Sequence, residues 1–178
     1  MFTYAEVERL LAGLHGADVA VQRGALRGRL KHLKRLGIPL GIAPGKGKKI
    51  EYGYEQLFQW AFCLALEECG LDPTLIANLV RVFWDAHIHD GFKEAQNKEK
   101  GPLYFYGKTQ FMAANWIPPL GKFTALPLTG WARENQLAHE INAGKTPFAS
   151  AVVIDVALIV RRLAKGVGEL ELARKNVK

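Results

Sequence analysis

The sequence predicts a mainly α-helical protein with a small β component, in two parts at residues 1–82 and 83–178. Apolar residues recur at helical spacing in four segments of the first 84 residues. Short aromatic runs separated by proline and glycine follow between residues 103 and 126, a pattern typical of strands. A further amphipathic segment ends the chain. With 178 residues, 49% of them hydrophobic, the chain is long enough to bury a core.

The positive charge is concentrated in one segment. The chain has 24 Lys and Arg against 17 Asp and Glu, a net charge of +7. Residues 19–50 hold nine of the basic residues and no acidic residue, so the rest of the chain is slightly acidic. A basic segment in an otherwise balanced protein is typical of polyanion binding.

The first helix is predicted at residues 4–14. Thr3 and Glu6 fit a capping box, in which each side chain satisfies a free backbone amide. Apolar residues then follow at helical spacing as far as Leu14.

The second helix, predicted at about residues 22–36, separates leucines from cations. Leu26, Leu30 and Leu33 fall within about 60° of one another around its axis. The cations occupy a neighbouring arc of about 120°, and they are Arg23, Arg27, Lys31, Lys34 and Arg35. Solvated faces usually mix both signs, whereas this helix has no carboxylate. The pattern therefore favours nucleic-acid contact over a merely solvated face.

A β-hairpin is predicted after this helix. Apolar runs at residues 38–43 and 50–52 flank a Pro-Gly-rich turn at residues 44–49. The turn carries Lys46, Lys48 and Lys49, but it lacks the spacing and the following Ser or Thr of a nucleotide-phosphate loop. A basic tip beside a basic helix suits the backbone of DNA.

Two more helices are predicted, at residues 54–69 and from Pro73 to about Trp84. Gly70 is a typical C-terminal stop, and Asp72 before Pro73 is a strong start signal. Cys63 and Cys69 match core positions of the earlier helix, so we expect no disulfide and a cytoplasmic location.

This order of elements resembles the winged-helix DNA-binding domain of the mercury-resistance regulator (MerR) family over about residues 3–82. The matching segments are Tyr4-Ala5-Glu6-Val7, Arg23-Gly24-Ala25-Leu26-Arg27, Leu36-Gly37-Ile38, Tyr54-Glu55-Gln56-Leu57 and Glu68-Cys69-Gly70-Leu71-Asp72-Pro73. The link between the first two helices is longer than in that family, and the family's long dimerising helix is not evident. The chain is therefore similar to a divergent member.

The resemblance implies a sequence-specific regulator of transcription that binds double-stranded DNA. The recognition helix, about residues 22–36, would enter the major groove, and the wing at residues 44–49 would lie on the backbone or in the minor groove. Gln22, Arg23 and Arg27 would meet base edges. Phosphates would be contacted by Lys31, Lys34, Lys46, Lys48 and Lys49. Arg29 points toward the packed side of the helix or the flanking backbone and ranks lower as a contact residue.

Residues 83–178 are predicted to form a small α+β lobe for dimerisation or interaction. Strands are expected at residues 103–106, 110–112, 123–126 and 148–154. Asp155 then caps a final helix that runs from Val156 to about Lys175. Aromatic residues such as Trp116 and Trp131 suit a structural core better than the alternative of a ligand pocket.

The residues offer no catalytic constellation, so neither enzymatic activity nor a cofactor is expected. His87 and His89 lie between Asp85 and Asp90 and could chelate a metal, but no further Cys or His cluster supports a metal site. The longest uncharged stretch, residues 109–121, is shorter than the roughly 20 residues of a membrane helix. We expect no membrane partner.

The sequence thus predicts a cytoplasmic, nucleoid-associated homodimer with double-stranded DNA and the transcription machinery as partners. Two alternatives stay open. One is an architectural or excisionase-like DNA-bending protein of a phage or mobile element. The other is a winged-helix adaptor that binds an acidic protein.

Overall fold

The computed structural model describes residues 1–17, 19–42, 50–108, 129–142 and 151–176. The first half contains four helices: α1 (Tyr4–Leu14), α2 (Ala20–Arg35), α3 (Tyr54–Glu68) and α4 (Pro73–Phe83). A π-helical turn (Trp84–Ile88), α5 (His89–Ala95) and a 3-10 turn (Lys98–Lys100) lead to the second half. There follow β1 (Leu103–Lys108), β2 (Thr129–Arg133), α6 (Glu134–Asn142), β3 (Ala151–Asp155) and α7 (Val156–Asn176). The chain is mainly helical with a small sheet, as predicted.

The helix starts that the sequence predicts are confirmed. The amide of Glu6 donates to Thr3 Oγ1 at 3.3 Å, and the amide of Thr3 donates to Glu6 Oε2 at 2.8 Å. This backbone hydrogen bond, followed by Arg174, lowers the pKa of Glu6 to about 2. Asp72 Oδ1 accepts from the amides of Thr74 and Leu75, at 2.8 and 3.2 Å. Each cap satisfies amides that the first helical turn leaves free.

Glycines with positive φ end α2 and α3. Gly37 has φ +85° and Gly70 has φ +87°, a conformation that costs other residues energy. The amide of Ile38 then reaches the carbonyl of Leu33 at 3.0 Å, and the amide of Leu71 reaches that of Leu66 at 3.3 Å. Both closures are typical of helix C-termini. This geometry confirms the prediction that Gly70 ends α3.

The predicted hairpin strands at residues 38–43 and 50–52 are wrong in their described part. Residues 39–41 form a bend and a turn, not a strand. Tyr52 pairs instead with Phe2, through two backbone hydrogen bonds with nitrogen-to-oxygen distances of 2.8 and 2.9 Å. Ile38 is buried, and the amide of Leu40 donates to the side chain of Gln59 at 2.6 Å. Core packing holds Ile38 and a side-chain acceptor satisfies the amide of Leu40. This segment therefore does not require hydrogen bonds to a second strand. Residues 43–49, with the predicted tip, lie outside the described residues.

The sheet has three antiparallel strands in the order β2-β1-β3. Phe105 of β1 lies between Trp131 of β2 and Ile154 of β3. The strands predicted at residues 103–106 and 148–154 correspond to β1 and, over residues 151–154, to β3, whereas residues 148–150 lie outside the described residues. Those at residues 110–112 and 123–126, together with Trp116, lie outside the described residues.

The cap of the last helix is also confirmed. Asp155 Oδ1 accepts from the amide of Leu158 at 2.8 Å, as a cap before α7 should. Neither β2 nor α6 was predicted. Helix α6 is short and none of its residues is buried.

One hydrophobic core includes residues from both predicted parts of the chain. The ring of Phe62 in α3 meets that of Phe105 in β1 edge-on, with centroids 5.1 Å apart. The hydroxyl of Tyr54 donates to the carbonyl of Val160 in α7 at 2.9 Å. Phe105 is therefore part of the core, and Trp131 packs against it. The division at residues 82 and 83 stays a prediction.

The two cysteines differ in their surroundings. Cys63 is buried in α3, and burial raises the pKa of its thiol. Cys69 is exposed at the C-terminal cap of that helix, so its prediction as a core residue is wrong. Within the described ranges, no helix is both long enough and apolar enough to cross a membrane.

Candidate nucleic-acid interface

Helix α2 presents a basic surface because its leucines fix its orientation. Leu26, Leu30 and Leu33 are almost fully buried, and the helix packs against α1, α3 and α4. The predicted contact residues on α2 are all exposed: Gln22, Arg23, Arg27, Lys31 and Lys34. Arg35, on the same arc, is exposed as well. We call the exposed side of α2 bearing these six residues the basic face.

Arg27 is held by a carboxylate that the sequence analysis did not place there. Its Nε donates to Glu8 Oε2 at 2.9 Å and its Nη2 to Glu8 Oε1 at 2.6 Å. The Glu8 side chain is 13% exposed and that of Arg27 54%. Hydrogen bonding from Arg27, and then the nearby charges of Arg27, Arg23 and Lys31, lower the pKa of Glu8. The absence of acids within α2 is therefore offset by one acid from α1.

Arg29 belongs to the packed side, as the sequence predicts. Its Nε donates to Glu67 at 2.5 Å and its Nη2 to the carbonyl of Leu64 at 2.9 Å. Its Nη1 lies 3.7 Å from Glu68. Arg29 thus ties α2 to α3 and is not available to a ligand in this arrangement.

Most of the other cations of the basic face are free to contact a ligand. Among the described residues, Arg23, Lys31 and Arg35 have no hydrogen bond or ion pair through their side chains. Lys34 Nζ lies 5.9 Å from the ring centroid of Tyr4. A Cβ added at Gly24 or Gly28 would meet nothing within 4 Å, so the backbone beside these cations is open to a large surface.

Both ends of α2 are anchored by contacts distant in sequence. Arg81 of α4 donates from Nη2 to the carbonyl of Leu36 at 2.6 Å and from Nη1 to Asn78 at 2.8 Å. On the other side, His15 Nδ1 lies 2.7 Å from Glu68 Oε1 and fastens the α1–α2 turn to α3. Nothing local in the sequence marks either residue, so neither was predicted. These contacts tie the C-terminal end of α2 to α4 and the end of α1 to α3.

The predicted wing lysines Lys46, Lys48 and Lys49 lie outside the described residues. The chain on either side of them is fixed to the core. Ile42 and Ile50 both pack against buried residues, and Tyr52 pairs with Phe2 at the start of α1. Ile42 and Ile50 are the last described residues before and after the lysines.

The His-x-His segment lies on the π-helical turn and the start of α5. His89 Nε2 is 3.9 Å from Glu55 Oε2, and Trp84 Nε1 donates to Glu55 Oε1 at 3.1 Å. His87 packs 6.0 Å from the ring of Trp131, and its partial burial lowers its pKa. Across the described ranges, His, Cys, Asp and Glu side chains form no group of three or more that could hold a metal ion.

Comparison of the chain with protein-family models, with curated proteins and with solved structures finds no match. The likeness to the MerR family therefore rests on the residues quoted above, and a functional assignment has to be argued from the basic face itself.

Proposed function

We propose that the protein is a sequence-specific double-stranded DNA-binding regulator of transcription that inserts α2 into the major groove. One observation carries the proposal: the basic face exposes a row of cations beside a backbone with open space around it. The major groove of B-DNA admits a helix, and cations along that helix meet phosphates on both sides of it. The proposed function consists of binding and regulation, without enzymatic activity.

The orientation of Arg27 supports readout of bases in addition to attraction to phosphate. Glu8 engages Nε and one side of Nη2, which leaves the N–H groups of Nη1 and the second N–H of Nη2 free. Guanine offers two acceptors, O6 and N7, to such a pair of donors. An arginine held in place by a carboxylate loses less side-chain entropy on binding. Gln22 and Arg23 lie one turn nearer the helix N-terminus, within reach of neighbouring bases.

The predicted wing completes the proposed interface. Lys46, Lys48 and Lys49 would contact the backbone or the minor groove beside the half-site read by α2. A homodimer would place two such units on an inverted repeat, with half-sites about one helical turn apart. Within this proposal the protein acts in the cytoplasm at the nucleoid, together with the transcription machinery.

Selection from random duplexes tests the proposal directly. The full chain is mixed with a library of randomised double-stranded DNA, and the bound fraction is recovered and sequenced over several rounds. We expect enrichment of one inverted-repeat motif. DNA binding without enrichment would favour the architectural, DNA-bending alternative. Absence of DNA binding would favour the adaptor with an acidic protein partner.

Glu8 and Arg27 should have opposite effects on affinity although they form one ion pair. Arg27→Ala removes the predicted guanine contact, so discrimination at one base pair of the motif should fall by about 1–3 kcal/mol. Glu8→Gln removes a negative charge close to the phosphates, so mismatched duplexes should bind about two- to threefold more tightly. The matched duplex should gain less, because Arg27 is no longer held in place for base readout. Fluorescence anisotropy with matched and single-mismatch duplexes measures both effects. Equal weakening of every duplex by Arg27→Ala would reassign Arg27 to phosphate contact.

A further inference from the structure

A second surface lies between α1 and α7, apart from the basic face. It is an open groove with a volume of about 450 Å³. Its floor is apolar and is formed by Leu10 and Leu14 of α1 and Leu170 of α7. We call it the α1–α7 groove.

Glycines determine the shape of the α1–α7 groove. A Cβ at Gly166 would lie 3.1 Å from Leu10 Cδ2, so α7 approaches α1 closely at that point. A Cβ at Gly13 would meet nothing within 4 Å, although Gly13 lines the same groove. The helices are thus in close contact at one point and leave an unfilled channel beside it.

The rim of the α1–α7 groove is positively charged on both sides. Arg9 lies on the α1 side, and Arg162 and Lys165 lie on the α7 side. Arg9 and Arg162 have no ion pair among the described residues. Among the described residues of the rim, Glu169 is the one acidic residue, and it lies 3.9 Å from Lys165, with both side chains largely exposed. Pairs this exposed contribute little stability, so a ligand can displace this one at low cost.

We propose that the α1–α7 groove binds an amphipathic helix of a partner protein, with acidic residues on both flanks of its apolar stripe. An open channel between two helices accepts a third helix through apolar anchors at positions i, i+3 or i+4, and i+7. Cations on both sides of the channel match acidic residues on both flanks of that helix. A small molecule would need a more enclosed site. Single-stranded nucleic acid would need aromatic side chains for stacking, and the described residues that line the groove include none.

The partner and DNA would not compete for space on α1. Glu8 faces α2 and contacts Arg27, whereas Leu10 faces Gly166 of α7. Two helical positions separate these residues, which places them on opposite flanks of α1. The proposed docking site can therefore be occupied while the basic face stays free, and it does not depend on DNA binding.

A synthetic peptide tests the site on the intact protein. The probe is a fluorescein-labelled helix of about 18 residues, with leucines at the anchor positions and glutamates on both flanks. We expect saturable binding that weakens as salt is raised. Gly13→Leu, which fills the channel, should weaken binding by about tenfold or more. The double change Arg162→Glu and Lys165→Glu should weaken it comparably.

Matched controls separate the groove from general effects. Gly168→Leu adds the same side chain to α7, where a Cβ also meets nothing within 4 Å and which does not line the groove. The double change Lys93→Glu and Lys175→Glu reverses two exposed charges away from the lining, as many as in the test variant. Both variants should bind the probe like the parent, and all should keep the parent's circular dichroism. The inference is overturned if a composition-matched scrambled peptide binds equally well, if Gly13→Leu has no effect, or if duplex DNA displaces the probe.

Discussion

Replacing Lys31, Lys34 and Arg35 together with alanine should lower the affinity for duplex DNA by about 100- to 1000-fold at roughly 0.1 M salt. These three side chains are exposed and have no ion pair among the described residues, so their charges are available to phosphates. Each phosphate contact releases about 0.9 counterion. The plot of log affinity against log salt should therefore become shallower by about 2.7. Titrations at four or five salt concentrations measure both quantities in one experiment.

A variant with the same loss of charge elsewhere provides the control. Lys93, Arg162 and Lys175 are exposed on α5 and α7 and likewise have no ion pair among the described residues. Their joint replacement by alanine should change DNA affinity by only a few fold and leave the salt slope nearly unaltered. Equal losses in the two triple variants would mean that net charge, and not the basic face, drives binding. That result would remove α2 from the proposed interface.

The features that the sequence predicted well are local ones. The cap made by Thr3 and Glu6 and the start at Asp72 depend on residues two or three positions apart, so a short segment contains all their information. Leu26, Leu30 and Leu33 similarly determine which side of α2 is buried. The orientation of the basic face follows from that burial, and hence it could be predicted.

The features that the sequence could not give depend on partners far along the chain. Glu8 and Arg27 are 19 positions apart, and Arg81 and Leu36 are 45 apart. Periodicity within one helix says nothing about which neighbouring helix supplies a carboxylate or a guanidinium. The π-helical turn and β2 were missed because neither has the apolar spacing of a regular amphipathic element.

The hairpin prediction failed for a similar reason. Two apolar runs around a turn predict pairing with each other when only local sequence is considered. Here Tyr52 pairs with Phe2, 50 positions earlier, and Ile38 is buried in the core. Tyr52 is buried in an aromatic cluster with Tyr4 and Trp60, and these long-range contacts hold it beside Phe2.

That cluster supports the candidate interface, and its central residue should be among the most sensitive in the chain. Trp60 is fully buried in α3, with its ring centroid 4.9 Å from that of Tyr52 and 6.1 Å from that of Tyr4. Trp60→Ala should lower the free energy of unfolding by about 3–5 kcal/mol. Typical domains have about 5–15 kcal/mol in total, so a large part of the stability would be lost. Urea denaturation followed by circular dichroism measures the change.

A second substitution and a binding measurement show whether Trp60→Ala loses core packing alone or also alters the basic face. Trp60 Nε1 has no hydrogen-bond partner among the described residues. Trp60→Phe therefore keeps most of the aromatic packing and removes an unsatisfied donor, and it should lower the free energy of unfolding by less than half as much as Trp60→Ala.

In DNA titrations, Trp60→Ala should reduce the fraction of active protein while the salt slope of that fraction stays as in the parent. A shallower slope would show that the cluster also positions cations of the basic face, because a purely structural loss cannot change the number of phosphates contacted.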